Sequence, residues 1–347
     1  MTPFSKKITW AFLAFLILLG GLFAYQYGPR LVYRYFGYYF LKPAETQWPE
    51  ETPDRIRQLW GEAKGKLVWS SSRSGTHQIF LLTLPDLKQY QLTSHPHVSY
   101  YPRISPDGNR ILFARSQQRW VSERDQRPWD VYLFDLGSGK ESLVVKNGNF
   151  PAWLPDGEHF TFLRGDLVLM KRLGGSRETL LFNGRKPPYE AEPQTPELSP
   201  KDPDLLAITL RGKLSGVFLL RLSQNRLIRL GDNSCELTWM PDGRTLAWVE
   251  VGGRGGTQML SSGLDGRGKK VLMDLPLTFS HEYFPKVSND GKWLVWGASE
   301  GDHEHDLADY EIFLWKMSRP WKEAVRITYN PANDRWPDLY VEKGFNG

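Results

Sequence analysis

A short motif recurs along the chain, and its period constrains the fold more than any other feature. One copy, at residues 101–108, reads Tyr-Pro-Arg-Ile-Ser-Pro-Asp-Gly. Further copies lie at residues 150–157, 237–243 and 284–291, with a degenerate copy at 195–202 and a last copy, at 336–341, that stops before its turn. Successive copies are roughly 40 to 50 residues apart, which is typical of a propeller or another repeat array.

Each unit reads as four short strands. The motif supplies a Pro-containing strand and an Asp-Gly turn, and three runs rich in β-branched and aromatic residues follow, such as 111–114, 130–136 and 141–145. Six such units predict an all-β fold, a six-bladed β-propeller. The chain enters at the second strand of a unit and ends with an unmatched first strand at 339–341. We predict that this last strand completes the first blade, because closure removes exposed sheet edges.

The repeats resemble the PD40, or TolB-like, propeller repeats, whose signature is a Pro-x-aromatic-Ser-Pro-Asp-Gly core before an apolar strand. The copies at 102–108, 151–157 and 239–243 carry the resemblance best. It implies a TolB-like propeller over residues 64–343, and it leaves function open because the fold hosts binding proteins and enzymes alike. The periplasmic protein TolB carries a separate α/β domain before its propeller. Only roughly 35 residues separate the apolar N-terminal segment from the first strand here, so the Tol-Pal partner role is not carried over.

The N-terminal segment predicts a membrane anchor. Residues 8–29 contain no charge, which is long enough for a transmembrane helix, and Lys6 and Lys7 before them favour a cytoplasmic N-terminus. We predict an uncleaved signal anchor, with a cleaved signal peptide as the alternative. The predicted protein is single-pass in the inner (cytoplasmic) membrane, with its propeller in the periplasm or extracellular space. Its predicted parts are a cytoplasmic stub and anchor (1–29), an aromatic juxtamembrane segment and linker helix (30–63) and the propeller (64–347).

Two features between the anchor and the propeller affect its orientation. The aromatic residues between Tyr33 and Phe40 suit a membrane interface, or they pack against a partner or the propeller. The linker predicts a short helix with Ile56, Leu59 and Trp60 on one face. Because the first strand starts on the face that carries the Asp-Gly turns, we expect the anchor to arrive at that face, unless the linker wraps around the rim.

Loop length distinguishes the two faces of the predicted propeller. The Asp-Gly turns open on one face, the turn face, and the connections between second and third strands and between blades open on the other, the long-loop face. The longest connections, 116–129, 183–194, 275–283 and 299–309, all belong to the long-loop face. Binding residues concentrate in long loops on a rigid scaffold. We therefore expect the long-loop face to bind a partner and to point away from the membrane.

One loop of that face combines imidazole and carboxylate side chains, a mixture that suits Zn²⁺ or another divalent transition metal. The candidate metal ligands are His281, Glu282, Asp302, His303, Glu304, His305 and Asp306. Their spacing matches no established zinc motif, and the alternative is a solvated polar loop that caps a blade.

A second candidate site is a protein-binding surface. Exposed Trp and Arg are favoured as interface anchors, and the loop before the second blade's third strand supplies Arg119, Trp120, Arg124 and Trp129. The alternative is a loop folded onto its own blade by the two Trp side chains. Tyr189 ends a Pro-Pro segment that forms either a rigid contact or a plain connector.

Several functions are disfavoured by the sequence. It contains no Gly-x-Ser-x-Gly nucleophile elbow, no phosphate-binding loop and no dense basic run that would favour nucleic acid, and its single Cys235 excludes an intrachain disulfide. We predict a non-catalytic protein-binding scaffold or accessory subunit of a cell-envelope complex. The alternatives are a metal-dependent propeller enzyme, a glycan lyase or hydrolase that uses the His/Asp/Glu loop, and a scaffold whose partner binds the membrane helix.

Overall fold

The computed structural model describes residues 3–39, 42–275, 278–300, 304–306 and 308–343. Helix α1 (Pro3–Phe36) leads through a 3-10 turn (Gly37–Tyr39) and a linker to helix α2 (Thr52–Trp60). Ile56, Leu59 and Trp60 are buried, as the predicted linker helix requires. Two further 3-10 turns lie at Leu222–Gln224 and Trp321–Glu323.

The described residues form six four-stranded antiparallel sheets, which are the six blades. Blade 1 contains β1 (Gly65–Ser71), β2 (Gln78–Leu84) and β3 (Gln89–Gln91). Blade 2 contains β4 (Ser99–Ile104), β5 (Arg110–Ser116), β6 (Trp129–Asp135) and β7 (Lys140–Val145). Blade 3 contains β8 (Asn149–Trp153), β9 (His159–Arg164), β10 (Leu167–Arg172) and β11 (Glu178–Asn183).

The second half of the ring follows the same order. Blade 4 contains β12 (Ala191–Leu198), β13 (Leu205–Gly212), β14 (Gly216–Arg221) and β15 (Arg226–Gly231). Blade 5 contains β16 (Ser234–Trp239), β17 (Thr245–Gly252), β18 (Gly256–Gly263) and β19 (Lys270–Met273). Blade 6 contains β20 (His281–Val287), β21 (Trp293–Ser299), β22 (Tyr310–Lys316) and β23 (Val325–Arg326).

The last strand closes the ring. Strand β24 (Asp334–Val341) pairs antiparallel with β1, with Gly65 opposite Val341, and so becomes the inner strand of blade 1. The predicted six-bladed propeller and its closure are therefore confirmed.

Blade-to-blade contacts use Trp side chains, as the high Trp content suggests. Trp69, Trp248 and Trp296 are fully buried in strands. Trp153 and Trp239 occupy the same motif position, and each donates its indole N–H to a carbonyl of the preceding blade, Arg103 O and Glu197 O, at 3.0 Å. A repeated hydrogen bond therefore links neighbouring inner strands.

Every inner strand carries a bulge at the same motif position. The six residues there have φ between 44° and 59°. They are Tyr101, Phe150, Thr195, Glu236, Phe284 and Trp336. A non-glycine residue in this left-handed region costs about 1–3 kcal/mol, so the surrounding blades must impose the conformation. The bulge turns these side chains toward the propeller axis.

Four of these residues close the axis with aromatic rings. Ring centroids lie 4.2 Å apart for Tyr101 and Phe150, 4.5 Å for Tyr101 and Trp336, and 4.3 Å for Phe284 and Trp336. The aromatic layer separates a polar cluster at the long-loop face from a cavity at the turn face.

The N-terminal helix meets the propeller at the long-loop face. The Trp120 indole donates to Arg34 O at 2.9 Å, Arg34 pairs with Asp125, and Arg30 lies 3.8 Å from Glu304. The expectation that the anchor arrives at the turn face is therefore wrong.

The reason is the path of the linker. Ala44 N donates to Arg73 O at 2.8 Å on the long-loop face, and the Trp48 indole donates to Ile327 O at 2.7 Å. The Trp60 ring then packs against Trp293, 4.4 Å between centroids, beside the turn that precedes β21. The linker thus runs along the rim from one face to the other before β1 begins.

Candidate functional site

Glu123 is the centre of a buried polar cluster at the long-loop end of the axis. It comes from the β5–β6 loop, and it accepts hydrogen bonds from His305 Nδ1 and, at 2.8 Å, from Trp336 Nε1. Arg335 Nη1 lies 3.0 Å from Glu123 Oε2, the oxygen that also accepts from Trp336. Glu123 and Arg335 are 6% and 0% exposed, so this ion pair is shielded from water.

Arg335 connects three blades. Its guanidinium donates to His305 O at 2.6 Å and to Tyr100 Oη at 2.7 Å, and it lies 3.5 Å from Asp306 Oδ1. Asp306 in turn accepts a hydrogen bond from Ser122. Burial and the charge of Arg335 together hold the pKa of His77, whose ring packs against Tyr100 at an interplanar angle of 60°, well below its usual range.

The two carboxylates near His305 differ in their acidity. Burial alone would raise the pKa of Glu123, but the charges of His305 and Arg335 lower it to about 2. Burial raises the pKa of Glu236 to about 7, against the attraction of His305, which lies 3.9 Å away. The cluster therefore holds one carboxylate that is ionised and one that titrates near neutral pH.

A cavity of about 80 Å³ lies between these groups and is lined by Glu123, Glu236, His305 and Cys235, among others. Burial raises the pKa of the Cys235 thiol to about 12, so it is an inert thiol. Ligand pockets usually enclose about 300–1,000 Å³, so this space suits a few waters rather than a substrate.

The candidate interface residues are placed in different environments. Trp120 is 7% exposed because Tyr33 of α1 packs edge-on against it at 5.6 Å. Trp129 is 1% exposed and donates to Asp125 O inside its own loop. The Tyr189 hydroxyl donates to Asn225 Oδ1 at 2.7 Å. The three rings are therefore buried, which favours the alternative of a folded loop for Trp129, and their role in binding stays a prediction.

The two Arg side chains of that set, Arg119 and Arg124, are exposed at the long-loop face. Arg124 Nε donates to Glu304 Oε1 at 2.7 Å. The fold thus brings one candidate interface residue into contact with one candidate metal ligand from a distant part of the chain.

The described candidate metal ligands point to separate partners. Glu282 is fully buried and accepts from Thr257 Oγ1 at 3.0 Å and from Leu275 N at 2.6 Å, while its neighbour His281 is half-buried. Glu304, His305 and Asp306 bond to Arg124, Glu123 and Ser122 respectively.

No three His, Cys, Asp or Glu side chains converge on a metal position among the residues that the structure describes. Asp302 and His303 lie outside those residues. The metal site therefore stays a prediction.

A second, larger cavity of about 390 Å³ lies at the turn-face end of the axis. Each blade contributes one residue to the lining of this cavity, the residue that follows the motif proline or, in blade 5, the leucine at the same position. In blade order these residues are Asp338, Arg103, Ala152, Glu197, Thr238 and Lys286. We call them the axial ring.

Two cations of the axial ring are buried. Lys286, 7% exposed, donates to Glu197 and, at 3.2 Å, to Leu237 O, and burial lowers its pKa. Arg103, 8% exposed, donates one hydrogen bond at 2.8 Å, to Pro102 O. A guanidinium has five N–H donors, and Arg103 lines the cavity together with Asp338, whose charge raises the pKa of Arg103 against the effect of burial.

Sequence reasoning missed both the axial ring and Glu236. The signal for the ring was present, since four of the six copies place a charge after the proline of a strand that is otherwise apolar. Glu236 also gave a signal, because it stands where four other copies have an aromatic residue.

These features define a six-bladed β-propeller of the TolB-like type, closed at mid-axis and open at the turn face. The chain is similar to TolB from Acinetobacter baumannii, with 16% identity, a TM-score of 0.59, and coverage of 79% of this chain and 66% of that chain. It is similar to a protein of Agrobacterium tumefaciens assigned as TolB, with 15% identity, a TM-score of 0.55, and coverage of 82% and 100%. An oligogalacturonate lyase from Vibrio parahaemolyticus follows with 14% identity, a TM-score of 0.50, and coverage of 75% and 74%.

Sequence comparison adds little to these structural likenesses. An uncharacterized protein of Agrobacterium fabrum is 26% identical over 104 residues, which cover 28% of this chain and 36% of that protein. No family model matches the chain. The chain thus spans about a third of this curated relative and 66% of the Acinetobacter TolB. Such identities show the fold alone, and the TolB-like fold predicted from the repeats is confirmed.

Proposed function

We propose that this chain is a membrane-anchored, extracytoplasmic propeller that acts as a non-catalytic protein-binding scaffold, an accessory subunit of a cell-envelope complex. Residues 15–36 form a helix long and apolar enough to cross a membrane, and none of that span is buried in the protein. In this proposal, residues 1–29 are the cytoplasmic stub and inner-membrane anchor, 30–63 the juxtamembrane segment and linker, and 64–347 the periplasmic or extracellular propeller.

The open turn-face cavity is the observation that supports scaffolding most directly. The end of α1 already occupies the middle of the long-loop face, whereas the turn face presents a cavity of about 390 Å³ with a charged axial ring. A buried charge is costly unless it is paired. Arg103 therefore favours a partner that inserts a carboxylate, which a guanidinium binds with two parallel hydrogen bonds.

Site-specific photocrosslinking in native membranes tests this proposal. A photoreactive side chain at Lys201 or Asn289, both at the cavity, should yield one adduct of defined mass. The same group at the exposed Leu143 or Leu180 on the blade edges should yield none.

Arg103→Met is the matched test of the chemistry, because it keeps the apolar stem and removes the donors. It should abolish the Lys201 adduct, whereas Arg244→Met, at an exposed position of the same face, should preserve it. Equal adducts in both variants would contradict a carboxylate-binding cavity, and adducts confined to the blade edges would contradict turn-face scaffolding.

The acidities of Glu123 and Glu236 favour a second candidate function, an enzyme. Two carboxylates whose pKa values are pushed apart, here to about 2 and about 7, are typical of an acid and a base at one site. The lyase neighbour shows that this fold can carry out catalysis. The cavity between them holds only about 80 Å³, so the scaffold is the better-supported function.

Two measurements separate the candidates. The full-length chain should release no unsaturated product from oligogalacturonate, and Glu236→Gln should leave that result unchanged. A metal-dependent enzyme requires a stoichiometric transition metal that is lost in a His303→Ala/His305→Ala double variant, which elemental analysis detects. Both a metal and turnover would replace the scaffold with the enzyme.

A further inference from the structure

The end of α1 sets how close a bilayer lies to the long-loop face. The uncharged stretch of residues 8–29 ends directly before Arg30. Arg30 lies 3.8 Å from Glu304, and Arg34, one turn later, pairs with Asp125. One helical turn rises 5.4 Å. A bilayer that holds the uncharged stretch therefore begins within about one turn of these loops.

Exposed aromatic residues mark the same level. Tyr35, Phe36 and Tyr39 are 62%, 53% and 67% exposed, although they adjoin the docked end of α1. Tyr side chains concentrate at the boundary between hydrocarbon and headgroups. Their exposure is explained if lipid, rather than water, surrounds them.

The charge of the long-loop face is unequal between its two halves. The loops of blades 2–4 carry a set of exposed basic side chains, namely Arg119, Arg124, Arg127, Lys146, Arg185 and Lys186. The loops within blades 5 and 6 carry exposed Arg254, Glu300 and Asp309, and the half that holds the six cations also carries exposed Glu190 and Glu192.

Part of the basic set has no acidic partner within the described part of the chain. Arg124 pairs with Glu304 and Arg185 pairs with Asp166. Among the described residues, no carboxylate lies within 4.0 Å of Arg127, Lys146 or Lys186. These three cations come from three loops of the long-loop face, the face on which the end of α1 docks.

We propose that the blade 2–4 half of the long-loop face is a docking surface for anionic lipid headgroups of the membrane that α1 spans, with Arg127, Lys146 and Lys186 as its principal contacts. The proposal rests on the proposed membrane anchoring. Each basic residue at an anionic surface strengthens attraction about fivefold, and salt weakens it within a Debye length. The propeller is then held against the bilayer by its loops as well as by its helix.

The test uses the full-length chain in vesicles of phosphatidylcholine alone or with phosphatidylglycerol. A fluorophore on Gln118→Cys reports the long-loop face of blade 2, and one on Ser176→Cys reports the turn face of blade 3. Lipids with a nitroxide on the headgroup should quench the label at 118 several-fold more in anionic vesicles than in neutral ones. The label at 176 should be quenched in neither.

Charge reversal supplies the matched comparison. Arg127→Glu/Lys146→Glu/Lys186→Glu should reduce the anionic quenching at 118 to the neutral-vesicle value, as should 0.5 M salt. Lys140→Glu/Arg177→Glu/Arg244→Glu, at exposed turn-face positions, should leave it unchanged. Thermal melting confirms that both triple variants fold.

The outcomes separate this proposal from the anchor on which it rests. If the chain is extracted from vesicles by alkaline carbonate, α1 does not span and the proposed anchoring fails. If it resists extraction but quenching at 118 is independent of phosphatidylglycerol or of the triple reversal, the headgroup surface alone is overturned.

Discussion

At the scale of single residues, the cluster around Glu123 depends on complete pairing. Its carboxylate meets Arg335, His305 and Trp336, and nothing of Arg335 is exposed. Removing one partner from such a group leaves the other as an uncompensated buried charge, which costs more than the pair contributes.

Arg335→Met should therefore destabilise the protein by about 3–5 kcal/mol. Glu123→Gln/Arg335→Met removes both charges together and should recover part of that loss. Denaturant unfolding of the two variants measures the difference. If the double variant unfolds more easily than the single one, Glu123 is not the charge that Arg335 compensates.

For Glu236, in contrast, we predict that removing the charge stabilises the protein. Its pKa is about 7 in the folded chain and near 4.3 in an unfolded one. Between these values the folded state holds a proton that the unfolded state has lost, so stability falls as pH rises through 7. Glu236→Gln should raise stability at pH 8.5 by about 4 kcal/mol and leave it unchanged at pH 4. An equal effect at both pH values would show that titration is not the cause.

At the scale of elements, Trp153 and Trp239 make the same hydrogen bond between neighbouring inner strands in two different blades. Each bond runs from an indole N–H to the preceding blade at 3.0 Å. Trp296 has a similar buried ring whose N–H finds no acceptor in the described part of the chain.

Trp239→Phe should cost about 1 kcal/mol more than Trp296→Phe, because only the first leaves a carbonyl without its donor. Thermal unfolding of both variants measures the difference in stability. Both substitutions remove the same ring volume, so packing losses are matched. Equal losses would assign the effect to packing alone.

The bulge explains what sequence reasoning could and could not find at this scale. Strand order, turns and ring closure follow from local alternation and Asp-Gly chemistry, so the repeats predicted them. The inward direction of Glu236 follows from a left-handed backbone residue, with φ of 47°, that no propensity favours. The charges of the axial ring are visible in the repeated motif, but their convergence on one cavity depends on how the six inner strands are arranged in the fold.

At the scale of the whole molecule, orientation was the feature that the sequence could not give. The direction of the anchor depends on contacts between residues far apart in the chain, such as Trp48 with Ile327. The local sequence pattern predicts on which face the first strand begins. The path of the linker along the rim, from the long-loop face to the turn face, is seen only in the folded propeller. The long-loop face, predicted to point away from the membrane, is therefore the face on which the helix docks.

The balance of buried carboxylates predicts how the whole molecule responds to pH. Burial raises the pKa of Glu282, as of Glu236, to about 7. Both groups stabilise the folded state less as pH rises from about 4.3 through 7, since the unfolded chain then releases protons that the folded chain retains. The melting temperature should fall between pH 5.5 and pH 8.5, as calorimetry would show. In the double variant Glu236→Gln/Glu282→Gln, the fall should be smaller but should persist, because burial also raises the pKa values of Asp309 and Glu311 to about 7 and about 8.

Because β24 is the last strand to be synthesised, closure of the ring is delayed until translation is nearly complete. The inner neighbour of Gly65 is Val341, which follows about 280 residues later. Translation at roughly 5–20 residues per second delays that pairing by roughly 15 to 55 seconds. Until then blade 1 is a growing sheet with an open edge, tethered to the helix that leads the chain. A cell that makes this protein must therefore shield an unfinished ring for most of its synthesis, and ribosome pausing before residue 334 would lengthen that exposure.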